Sequence, residues 1–199
     1  MSTAHLKLIS KNLTGIISLS EAKAHLRIPA ALTDQDALIT ACTNAAIRFG
    51  ETRTDRVIAS TVYQIRIPAE AATVVLPIPD FKEVTKVEPM TGNTIGDALY
   101  DKSDEAPSDL TDYLQIDSWV NPAEITVITD NLPAGTEYLI ITASFGMTAP
   151  FPEDLINAMK MMLTHFYDNP REVEVGRIAS QVPMGAETIF GFYTYKAFS

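Results

Sequence analysis

Phe151–Glu172 reads FPEDLINAMKMMLTHFYDNPRE, and this stretch decides how the rest of the chain is read. Pro152 suits a first helical turn, and Glu153 and Asp154 complement the positive end of the helix dipole. Asn169-Pro170 forbids continuation, so both ends of a helix are marked. At about 100° per residue, Leu155, Ile156, Met159, Met162, Leu163, Phe166 and Tyr167 fall in one arc, which is the expected core face. Ala158, Met161 and His165 form a second, smaller apolar strip on a flank where a monomer's surface helix would carry charge. Such a strip either packs under another part of the same chain or meets a second subunit.

Working outward, the 199 residues are enough to bury a substantial core. They carry 15 Lys plus Arg against 25 Asp plus Glu, a net charge of −10. Gripping nucleic acid needs clustered cations to neutralise phosphates, so that class is disfavoured, although DNA could still pass nearby without being held. One cysteine, Cys42, excludes an intrachain disulfide and a cysteine-based zinc site, which fits folding in a reducing compartment. No segment approaches the roughly 20 consecutive apolar residues of a membrane span, and the N-terminus has no secretory pattern. The expectation is a soluble acidic protein, cytoplasmic when made.

Before the main helix, residues 1–17 read as an arm, strand-like in part. Ser18-Leu19-Ser20-Glu21 fits a capping box opening a short helix, EAKAHLRI, that stops before Pro29. Thr33 or Asp34 then caps a longer helix reaching to about Thr54, with Leu38, Ala41, Cys42, Ala45 and Phe49 on its expected core face. Ile39 and Ile47 lie outside that face and suggest a second contact, and Gly50 is expected to loosen or bend the helix. From Val57 to Gly146 the period becomes alternating. Six strands are predicted, over Val62–Ile67, Thr73–Leu76, Val84–Met90, Tyr113–Ile116, Glu124–Ile128 and Glu137–Phe145. Asp101–Asp112 reads as an exposed acidic loop and Arg171–Glu187 as a long loop. The chain closes on TIFGFYTYKAFS, whose Phe190, Phe192, Tyr193, Tyr195 and Phe198 are too apolar to hang in water. That tail either lies on its own core or docks on another protein.

The expected fold is therefore α+β: a mainly helical bundle scaffold with an inserted small antiparallel β domain and an extended aromatic C-terminal tail. The expected boundaries are 1–56 for the arm and first helices, 57–148 for the β insertion, and 149–199 for the long helix, loop and tail.

Chemistry-bearing motifs are sparse. His5, His25 and His165 are scattered, and there is no H-E-x-x-H, no G-x-S-x-G and no glycine-rich phosphate loop. Asp168, Glu172 and Glu174 read as a solvated cluster pairing with Arg171 and Arg177 rather than a cation site. No cofactor, metal or catalytic residue is indicated. A monomeric ligand-binding module, or an enzyme of unknown substrate, is the competing class.

The order SLSEAKAHLRI, TDQDALITACTNAA, a proline-punctuated β insertion, ASFG, FPEDLINAMKMMLTHFYDNPRE and VPMGAETIFGFYTY resembles the head-tail connector family of tailed bacteriophages. The match runs over Leu19–Arg27, Asp34–Ala46, Pro152–Glu172 and Val182–Tyr195, the last a V-P-x-G followed in the family by a short aromatic helix, so it spans nearly the whole chain. One departure is Pro170, where the family runs directly from the asparagine to the arginine. The resemblance implies a virion structural protein, also called an adaptor or head-completion protein, assembled in the host cytoplasm and resident at the head-tail interface. It implies a ring, typically of twelve copies, beneath the portal and above a stopper or tail-completion protein, with DNA sliding through an unsticky channel. On this reading Phe190, Phe192, Tyr193, Tyr195, Lys196 and Phe198 are expected to dock on the portal. Met161, His165, Arg171, Glu172, Ile39 and Ile47 are expected at the subunit interface.

Overall fold

The computed structural model describes residues 4–70, 73–169 and 183–195. It divides into two compact units, one of Met1–Asn12 with Ser60–Gly146 and one of Leu13–Ala59 with Met147–Ser199. The first is built of strands and the second of helices, so the α+β class holds. The N-terminal arm is divided: its strand, His5–Asn12, belongs to the sheet, while Leu13–Ile17 stay with the helical unit, where Ile16 and Ile17 are buried in the core.

In the helical unit, α1 (Leu19–Leu26) opens on the expected capping box. The Glu21 amide donates to Ser18 Oγ at 3.2 Å, and the Ser18 amide donates to a Glu21 carboxylate oxygen at 2.9 Å. The helix ends on Arg27 at φ 58°, a left-handed cap adopted here without glycine. Lys23 is buried and ties α1 to the segment after it. Its Nζ donates to the Leu32 carbonyl at 2.8 Å and the Ala30 carbonyl at 3.3 Å, and it is ion-paired with Asp36. That pair fixes the start of α2 (Asp36–Thr54), two residues beyond the expected Asp34 and without a side-chain cap.

The buried face of α2 differs from the expected one. Ile39, Cys42, Ala46, Ile47 and Gly50 are buried, while Leu38 and Ala41 are exposed. Ile39 and Ile47 are fully enclosed within their own chain and have no surface to offer a second subunit. The physical reason is the alanine-rich stripe, which leaves almost no contrast in hydrophobicity around the helix, so the packing partners choose the face. Gly50 does not break α2. A Cβ there would lie 3.2 Å from both Met159 Cε and Phe190 Cε1, so the absent side chain is what admits those two groups. Beyond α2, the buried Glu51 carboxylate accepts the Ile58 and Ala59 amides at 3.0 and 2.9 Å and folds the exit segment back on the helix.

α3 (Glu153–Asp168) buries Leu155, Met159, Met162, Leu163 and Phe166, as the periodicity requires. Ala158 and His165 are buried too, so the helix is enclosed over a wider arc than one face. The cover comes in part from α4 (Met184–Tyr193), the short aromatic helix that the resemblance implies, lying where the fold expectation had an extended tail. Two glycines and five β-branched or aromatic positions make its intrinsic helicity weak, and burial of Ala186 and Phe190 against α2 and α3 holds it. Phe49 meets both the Phe166 and Phe190 rings edge-on, at centroid distances of 6.3 and 5.9 Å.

In the strand unit, one antiparallel sheet runs β1-β2-β9-β4-β5, with β6 also paired to β4. Its strands are β1 (His5–Asn12), β2 (Ser60–Pro68), β4 (Phe81–Thr91), β5 (Thr94–Ile95), β6 (Tyr100–Asp101) and β9 (Tyr138–Phe145). A second sheet, β3-β8-β7, comprises β3 (Thr73–Val75), β7 (Leu114–Asp117) and β8 (Glu124–Val127). All six predicted strands are present. The continuous apolar run Leu139-Ile140-Ile141 places β9 between two partners, where both faces are covered. Gly92, at φ 58°, makes the tight β4–β5 turn anticipated at Thr91-Gly92-Asn93.

Two substitutions test these assignments. Leu163→Ala, at a fully buried site, should lower stability by about 2 to 5 kcal/mol through an unfilled cavity, read by chemical denaturation. Ser18→Ala should remove about 0.5 to 2 kcal/mol by deleting the cap of α1. The hydrogen bonds from Ser18 hold the Glu21 carboxyl below its ordinary range. Its contribution is therefore present above the unfolded-state value and lost as pH falls through the lower folded-state value, so the Ser18→Ala deficit should shrink in acid.

Candidate functional site

The described residues offer little for catalysis to use. No group of three or more His, Cys, Asp or Glu side chains converges among them. A cavity of about 350 Å³ is lined by Leu13, Gly15, Ile17, Thr43 and neighbours, and another of about 480 Å³ by Leu110, Leu114, Ile116 and Ile128. Neither is lined by an acid, a base or a cysteine. Cys42 is buried, and burial pushes its thiol up from the ordinary value, away from the nucleophilic thiolate. No helix among the described residues is long and apolar enough to cross a membrane.

Exposed apolar surface is better developed, and α4 carries a clear part of it. Its aromatics divide sharply. Phe190 is 1% exposed and belongs to the core, so its expected place in a docking surface is corrected: the notch at Gly50 takes the ring inside. Phe192, two residues on and so turned about 200° around the helix, is 76% exposed. Met184 at the other end of α4 is equally open. Tyr193 is half-buried, and its hydroxyl donates to Asp154 Oδ1 at 2.6 Å; that bond pushes the phenol pKa up from its usual range. The Tyr195 amide donates to the Thr54 carbonyl at 2.6 Å, and Arg53 pairs with Glu187 at 2.9 Å. Both contacts clamp α4 to the end of α2, so Phe192 is presented from a helix fastened at each end. Lys196 and Phe198 lie outside the described residues.

The described residues among those expected at a subunit interface pack within their own chain. His165 is buried, with its ring edge-on to Phe166 at 5.6 Å. Met161 is half-buried under the start of α4, its Cε 3.1 Å from where a Cβ on Gly185 would stand. The second strip of α3 thus meets its own chain. Arg171 and Glu172 lie outside the described residues.

Sequence reasoning passed over two exposed apolar features of the strand unit. Trp119, in the turn between β7 and β8, is almost wholly exposed, with Val120 open beside it. Its signal was present as a lone tryptophan inside Asp117-Ser118 and Asn121-Pro122 punctuation, a turn rather than a strand. The second is β1, in the arm read only as strand-like in part, where Leu6, Leu8 and Ile9 are exposed.

No protein-family model and no curated protein matches this chain. Solved structures do. A chain in the neck of an empty gene transfer agent (GTA) particle, computed with C6 symmetry, aligns at TM-score 0.63 and 19% identity over 98% of this chain and 97% of that one. A chain in the virion of the native GTA particle aligns at TM-score 0.66 and 18% identity, covering 97% of both. A chain in the neck of the native particle, computed with C12 symmetry, aligns at TM-score 0.62 and 18% identity over 98% and 97%. The protein has the fold of these particle components along nearly its full length.

The division within α4 is open to measurement. Phe190→Ala should cost about 3 to 5 kcal/mol in denaturant unfolding, whereas Phe192→Ala should stay within about 0.5 kcal/mol of the parent. Equal losses would place both rings in the core.

Proposed function

We propose that this protein is a structural component of a phage-like particle, a head-tail connector that assembles as a ring below the portal. The observation that carries the reading is the likeness of fold over 97 to 98% of the chain to chains from the virion and neck of GTA particles. C6 and C12 symmetry in those necks supports a ring, with twelve copies as the expected number. Exposed large apolar groups support it as well: Phe192, Met184 and Trp119 are surfaces that an isolated chain would keep only at the risk of self-association.

In this role the protein performs no reaction. It extends the DNA channel, joins the portal on one side to a stopper or tail-completion protein on the other, and resides in the virion. The net charge of −10 suits a conduit through which DNA passes without adhering. Portal docking is assigned to the C-terminal segment: Phe192 is the exposed aromatic anchor, Tyr193 and Tyr195 flank it, and Lys196 and Phe198 continue it. α4 supplies a rigid presentation, which limits the entropy lost on binding.

The test is native mass measurement of the full chain, alone and mixed with the portal of the same particle. A species near twelve times the 21.8 kDa chain mass, free or on the portal, is expected. A monomer under both conditions would overturn the reading. Phe192→Glu should weaken portal binding by about 2 kcal/mol or more, roughly thirtyfold in Kd, without lowering the melting temperature.

A further inference from the structure

The larger sheet has two dissimilar margins, and their chemistry is complementary. At one margin stands β1, which among the described residues pairs with β2 alone. Leu6 and Leu8 sit opposite Ile65 and Tyr63, so they carry the buried face of the sheet to its rim, yet they are 37% and 53% exposed. Ile9, at the bulge between Leu8 and Ser10, is 48% exposed. Among the described residues no strand pairs with the far side of β1, and a sheet margin with uncovered leucines is a template for further pairing. It has no proline and no acid. His5, Lys7 and Lys11 are its titratable groups, in a chain whose first twenty residues hold no Asp or Glu at all.

The opposite margin is β4 with the short strands β5 and β6. From Gly96 to Asp112 it carries six acids and one lysine. Lys102 is ion-paired with Glu83, and Asp101 lies 3.8 Å from Lys86. Asp97, Asp104 and Glu105 remain exposed to solvent. A like-with-like contact between two β1 edges would bring lysines together, and one between two acidic margins would be worse. A contact between unlike margins satisfies both.

We propose that β1 is the sheet margin that receives a second copy of this chain, and that what it receives is the neighbour's acidic segment 96–112. Because the two surfaces lie at opposite margins of one sheet, the contact is head-to-tail and every copy has one of each to offer. Such a contact closes into a ring when its rotation permits. Docking covers Leu6, Leu8 and Ile9 and brings Lys7 to the neighbour's Asp97 and Glu105. The inference rests on the ring reading and adds to it the surfaces that join adjacent subunits.

The experiment measures assembly of the full-length protein by native mass, alone and on the portal, with a thermal melt of each variant as a folding control. Lys7→Glu and Leu8→Asp should each raise the concentration needed for assembly at least tenfold, and added salt should weaken the parent ring. Placing Asp97→Lys and Glu105→Lys in the same chain as Lys7→Glu should restore assembly to within threefold of the parent. Rings undiminished by Lys7→Glu and Leu8→Asp would overturn this inference and leave the connector reading standing. Loss in the single variants without rescue by the charge exchange would overturn the acidic segment as the occupant. A parent chain that never assembles would instead sink the connector reading itself.

Discussion

The helical unit depends on the close approach of α2, α3 and α4 at Gly50. Met159 and Phe190 both arrive within 3.2 Å of the space a methyl group would occupy. This is denser packing than side chains on all three helices would permit. Phe49, the residue before Gly50, meets the Phe166 and Phe190 rings edge-on. With Phe190 seated there, the geometry of a short helix dictates that Phe192 faces outward. One missing side chain therefore decides which aromatic is core and which is available to a partner.

Polar groups at the helix junctions then set the register of the segments around that point. Lys23 would be costly to bury alone. It is compensated by two carbonyls and the Asp36 carboxylate, and because these partners lie beyond its own helix, it specifies how α1 meets α2. Glu51 acts likewise on the exit from α2, where its carboxylate accepts two successive amides. Such bonds add little net free energy each. Their effect is on uniqueness, since any slip leaves a buried charge without partners.

The strand unit is organised differently. Its interior is specified by β9, whose neighbours β2 and β4 take nearly its whole length. Its margins are left unlike each other in charge, one basic and one acidic. A chain with net charge −10 repels its own copies at long range, and β1 is a local basic strip within that acidic whole.

By itself the sequence determined the elements whose signals are local. The capping box of α1, the proline-opened α3 with its bulky stripe, the six alternating strands and the turn at Gly92 all depend on spacing within a few residues, and all are present. The order of motifs also carried the likeness of fold. Only the tertiary structure decided the rest. Ile39 and Ile47 were expected at a second contact and are core, because alanines around α2 make its faces nearly equal in hydrophobicity and the partner helices break the tie. The residues of the C-terminal segment left its aromatics either on their own core or on another protein, and the structure divides them: Phe190 enters the notch at Gly50 while Phe192 stays exposed. Met161 found its cover in α4, a segment more than twenty residues away, and β1 found its partner in β2, up to Arg66 opposite His5. Periodicity reports how a segment divides its own surface. Which neighbour fills that surface is a long-range packing outcome, and no local pattern encodes it.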